Sequence, residues 1–166
     1  MNYLVIRDEA VRQIQAGIIS LYPKMRVEAH GGTFTEQSIK QNAQRTPAIL
    51  TSLVKAADGT QNNSITFVSW VLYRASSEDK LYDGALKIVS ALTSVIQKAD
   101  FDLDIKDTVI NAECLYSGTL DAMAVTMWAV KWELLLGSRA FSHRSLEELG
   151  ELENFDDTAL IDTVQL

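Results

Sequence analysis

Four aspartates, Asp100, Asp102, Asp104 and Asp107, stand close enough in sequence to suggest a divalent-cation loop, and the first three match the opening spacing of an EF-hand. The match stops there. The sixth position, where the sharp turn requires glycine, is Ile105, and the twelfth, which should supply a bidentate glutamate, is Asn111. Phe101, Leu103 and Ile105 alternate with the acids, the pattern of a solvated strand edge or loop. His30-Gly31-Gly32 could serve as an oxyanion loop, but the chain has no Gly-x-Ser-x-Gly nucleophile elbow, so the glycines read as a turn. His30, His143 and Cys114 lack metal-ligand spacing, and Cys114, lying in an apolar run, reads as a small core residue. Neither Gly-x-x-x-x-Gly-Lys nor Gly-x-Gly-x-x-Gly occurs. No catalytic residue, cofactor or metal is therefore expected.

Trp70, Trp128 and Trp132 could stack nucleic-acid bases, yet such platforms are interleaved with Lys and Arg, and only Arg74 and Lys131 are near. Core or subunit-interface packing is expected instead, because tryptophan buries so much apolar area. Charge supports this reading. Residues 145–166 hold seven acids and no Lys or Arg, so of the chain's 22 acids and 15 bases, residues 1–144 carry 15 of each. The body is neutral and the C-terminal stretch carries the whole net charge of −7. A duplex-binding protein needs a basic face that displaces counterions from phosphates, and none is clustered here.

The elements that would position these residues follow from periodicity. In 166 residues, 47% hydrophobic with only 8 Gly and 2 Pro, one domain is expected, burying roughly 70% of the surface its unfolded chain exposes. The single cysteine suits a reducing compartment, by default the cytoplasm. Arg7, Asp8 and Glu9 interrupt the N-terminus before a secretory signal could form, and the longest near-apolar run, residues 122–130, is too short to span a bilayer.

Leu4, Val11, Ile14, Ile18 and Leu21 recur at helical spacing up to Pro23, and residues 25–29 alternate as a short strand. Thr33 or Thr35 caps a polar helix through about Gln44. Residues from Ala48 and from Ser64 to Ala75 form a hairpin around Asp58-Gly59. Both faces of the second strand are apolar, Ile65, Phe67, Val71 and Tyr73 against Val68, Trp70 and Leu72, so it is central in its sheet or lies at a subunit contact. Ser77, Glu78 and Asp79 open a long helix with a stripe from Leu81 to Ile96. Strands are expected over Val109–Tyr116 and Val125–Leu136, separated by Ser117-Gly118. Ser145 and Glu148 fit a capping box, with Leu146, Leu149, Leu152 and Phe155 every third residue and Leu160 and Ile161 beyond. The expected fold class is α+β: a mainly antiparallel sheet packed with two long amphipathic helices in residues 1–144, then an acidic amphipathic arm, 145–166. The arm docks either on a neighbouring subunit or on its own.

Taken in order, the opening helix 11–21, the strand-turn Val27-Glu28-Ala29-His30-Gly31-Gly32, the stretch Arg45-Thr46-Pro47-Ala48-Ile49-Leu50 and the helix 81–97 resemble the Mu-like phage and prophage tail terminator family (phage Gp37-type proteins), itself similar in fold to the lambda-type tail terminator. The resemblance covers roughly the first 140 residues; the acidic tail departs from it. It implies a structural virion protein, not an enzyme: a homo-oligomeric ring, six-fold in such tails, assembled in the host cytoplasm. The ring would cap the tail tube, stop its polymerisation and offer a surface to the neck proteins, with DNA only as passing cargo and no membrane partner. Trp70, Trp128, Trp132, Leu146, Leu149, Leu152, Phe155, Leu160 and Ile161 are the candidate subunit-interface residues. Other readings are a different neck or head-to-tail connector component, or a small cytoplasmic enzyme or ligand-binding domain whose site is assembled from scattered residues.

Overall fold

A computed structural model describes residues 2–57, 63–120 and 123–137. In chain order the elements are α1 (Tyr3–Ile19), β1 (Arg26–Ala29), α2 (Glu36–Gln44), β2 (Ala48–Ala57), β3 (Asn63–Ala75), α3 (Glu78–Lys98), β4 (Ile105–Leu120) and β5 (Met123–Leu136). The strands form one five-stranded mixed sheet in the order β1-β2-β3-β5-β4. β1 runs parallel to β2, and every other neighbouring pair is antiparallel. The fold class is α+β. No described helix is long and apolar enough to cross a membrane.

Capping chemistry fixes where the helices begin. Asn2 accepts the Leu4 amide through its side chain, opening α1. Thr35 and Ser38 bond reciprocally to each other's backbone amides in a capping box that starts α2. α3 starts after Ser77 with Glu78 and Asp79 in its first turn and ends with Lys98 in its last, the charge order that a helix dipole favours.

α1 and α3 cover one face of the sheet. Ile6, Ala10, Ile14 and Ile18 from α1 and Leu81, Ala85, Ile88, Val89, Leu92 and Ile96 from α3 are buried. Beneath the helices lie Ile65, Phe67 and Val71 of β3 and Trp128, Val130, Trp132 and Leu134 of β5, which alternate along their strands as the pleat requires. On the opposite face a smaller cluster gathers Ala48, Leu50, Trp70, Leu72 and Met127 under Phe34 and Ile39. β3, third of the five strands, is thus apolar on both faces because both faces are covered.

Three sequence expectations are corrected. Leu4 and Leu21, assigned to the buried stripe of the first helix, are exposed, and the stripe runs instead through Ile6 and Ala10, turned part of the way round the same helix. Ser117 and Gly118 do not end a strand: β4 continues through them, pairing with Thr126 and Val125, up to Leu120. Cys114 is exposed, because its strand is the outermost of the sheet.

Candidate functional site

The residues singled out for chemistry fall in four places. At the end of β1, the His30 amide donates to the Thr51 carbonyl at 2.9 Å and the Ser52 hydroxyl donates to the His30 carbonyl. The chain then turns at Gly32, φ +85°, so that its amide donates to His30 Nδ1 at 3.0 Å. Nδ1 is therefore an acceptor and a neutral ring carries its proton on Nε2. The imidazole stacks on Phe34 at 4.2 Å, and both rings meet Trp70 edge-on, at 5.8 and 4.8 Å. Burial pushes the His30 pKa below its ordinary value. The Gly-Gly pair makes a turn, and Ser52 spends its proton on a backbone carbonyl, so this corner is an aromatic brace rather than a nucleophilic centre. Sequence reading missed the cluster; a histidine and a phenylalanine flanking two glycines was the available signal.

Asp100, Asp102 and Asp104 lie in the loop between α3 and β4, and Asp107 lies in β4 itself, opposite Leu135. The Asp100 carboxylate accepts the Asp102 amide at 2.9 Å, and Asp102 adopts φ +54°. Gln13 of α1 clamps the loop, donating to the Asp100 carbonyl and accepting the Asp100 amide at 2.9 Å. Phe101 points inward, stacked against Trp132 at 5.9 Å and Phe67 at 6.4 Å. The alternation of acids and apolar residues is thus a plug closing one end of the core. Among the described residues no group of three or more His, Cys, Asp or Glu side chains could hold a metal ion.

The three tryptophans are all placed inside a single chain. Trp132 is fully buried, stacked on Phe67 at 4.1 Å, with Nε1 donating to Ser69 Oγ at 3.1 Å. Ser69 Oγ bonds in turn to Thr51 Oγ1 at 2.9 Å, a hydroxyl chain crossing β5, β3 and β2. Having no surface, Trp132 cannot contact a second subunit, and its interface assignment is corrected to core. Trp70 and Trp128 keep only 8% and 9% exposure, one on each face of the sheet, so the three do not converge. Trp128 Nε1 is buried and finds no acceptor among the described residues. Leu146, Leu149, Leu152, Phe155, Leu160 and Ile161 lie outside the described residues.

The remaining surface is β4 itself. Among the described residues it pairs with β5 alone, along one edge, and Val109 and Leu115 stand 41% and 48% exposed along it. Register shifts at Ile105/Asp107 and Cys114/Tyr116 bend it at two points. Cys114 sits opposite Trp128 in register, and exposed Tyr82 of α3 approaches the same indole at 6.2 Å. An open, partly apolar strand edge of this kind is suited to pairing with another polypeptide. In comparisons with known proteins, no family model and no curated protein matches the chain.

Proposed function

We propose that this chain is a structural subunit of a phage tail, closing into a ring, six-fold by the family resemblance, that caps the tail tube and stops its growth. The observation that carries the reading is the β4 edge: a 16-residue strand paired on one side among the described residues, with Val109, Leu115 and Cys114 exposed. An edge of that length is costly to leave open, and a head-to-tail contact between it and a different surface of the next copy generates a ring whenever the rotation closes. The neutral charge of residues 1–144 supports the same reading, since a lumen that passes DNA cannot grip phosphates strongly. The role is architectural, the partners are further copies and the tube and neck proteins, and the destination is the virion tail after assembly in the host cytoplasm.

Native mass spectrometry of concentrated protein, with electron microscopy in the presence of tube protein, tests this. Closed rings of one stoichiometry are expected. Monomer alone under both conditions would sink the reading.

A further inference from the structure

A groove of about 640 Å³ runs between the C-terminal halves of α1 and α3. Gly17 and Val95 line it where the two helices pack tightly, for a Cβ on residue 17 would lie 2.6 Å from Cγ2 of Val95. Leu21 lines the groove towards one end, 63% exposed. Arg12, Lys98 and Asp100 line it towards the other, one cation on each helix wall. The helices lie antiparallel here, so from Gln13 to Leu21 the groove is about 12 Å long at 1.5 Å per residue.

The chain leaves the sheet beside this second end. The Gly137 amide donates to the Asp104 carbonyl at 2.8 Å, in the same loop whose Asp100 is clamped by Gln13 at the groove wall. Seven residues, 138–144, separate Gly137 from the acidic stretch and reach up to about 23 Å when extended. The stretch brings Leu146, Leu149, Leu152 and Phe155, which span about 14 Å in helical form, close to the groove's own length. It also brings seven acids and no base to a groove that carries Lys98 on one wall and, on the other, Arg12, which is already paired with Glu9 at 2.6 Å.

We infer that the α1–α3 groove is the seat of the chain's own C-terminal segment, with Leu146, Leu149 and Leu152 laid along Gly17 and Val95 and the acids directed to Lys98. The outlet position and the short connection favour the same subunit over a neighbouring copy, and the inference stands whether or not the protein closes into rings.

Two measurements on full-length protein test it. In a Cys114→Ser background, Ser94→Cys and Leu149→Cys are introduced and the protein is oxidised mildly. A disulfide within one chain, read by non-reducing electrophoresis and peptide mass spectrometry, is expected; no disulfide, or one between chains, overturns the inference. In the second, Leu149→Asp with Leu152→Asp should speed amide exchange over residues 13–21 and 91–99 by about tenfold or more while leaving β3 and β5 unchanged. Unchanged exchange in the two helices, or acceleration confined to other regions, overturns it.

Discussion

β5 has β3 on one side and β4 on the other, and the two neighbours are of similar length, 13 and 16 residues. They could hardly differ more in surroundings. β3 is buried on both faces, from Ser64 through Leu72 with Val68 alone half-exposed, whereas no described side chain of β4 is buried. Both strands pair with β5 along nearly their whole length, β4 with two register shifts, and β3 is paired with β2 on its other side as well. What separates their side chains is cover: α3 lies over β3 on one face and α2 reaches it on the other, while β4, at the rim of the sheet, is only grazed by α3 on one face. A strand's place in the sheet, rather than its pairing, decides how much each side chain is worth.

The largest effect should come from Trp132→Ala, which empties the buried side of that contrast and lowers unfolding free energy by about 3–5 kcal/mol in denaturant titrations. Ile110→Ala, directly opposite Trp132 on the half-exposed strand, should cost at most about 2 kcal/mol. Equal losses would erase the distinction. Hydroxyl deletion gives a second matched pair. Ser69→Ala strands the Trp132 N–H and should cost about 1–3 kcal/mol, while Ser117→Ala on β4 should stay within about 0.5 kcal/mol.

At the sheet's other edge, His30 extends the comparison to pH. Its folded pKa lies below the ordinary 6.5, so beneath that pH the unfolded chain binds a proton that the folded chain resists. Stability therefore falls as pH drops below 6.5 and levels off once the folded ring also protonates. His30→Gln should flatten urea midpoints between about pH 7 and 5, and an unaltered slope would show that the aromatic corner does not resist protonation. The smallest change in stability is expected from Val109→Lys with Leu115→Lys, within about 0.5 kcal/mol, because both side chains already face solvent. The same double variant should lose ring formation in native mass spectrometry; rings of undiminished population would move the contact off β4.

The sequence made β3 and β5 legible because a period of two with apolar residues on both faces has one stable placement, in the middle of a covered sheet. β4 was less so. Its apolar run Val109–Tyr116 looks like a core strand by composition, and only the positions of α1 and α3, set by contacts far apart in sequence, leave Cys114 outside. Ser117-Gly118 carries turn residues inside a strand for the same reason: an edge tolerates them because little packs there. The partnership of His30, Phe34 and Trp70 was hidden because it joins a turn to a strand 40 residues away, and the groove because it depends on how closely Gly17 lets two helices approach.

The strand order has a kinetic meaning. β5, the last of the described strands, is not added at the rim but inserted between β3 and β4, its pairing with β3 joining Ala75 to Ala124 and Asn63 to Leu136. Such distant contacts are slow to form, because chain entropy is lost before they repay it. Until β5 arrives, β3 has a bare apolar edge, so a nascent or truncated chain ending near Lys98 is prone to aggregate. Once β5 is seated, that edge is sealed and the β4 edge is presented in its place.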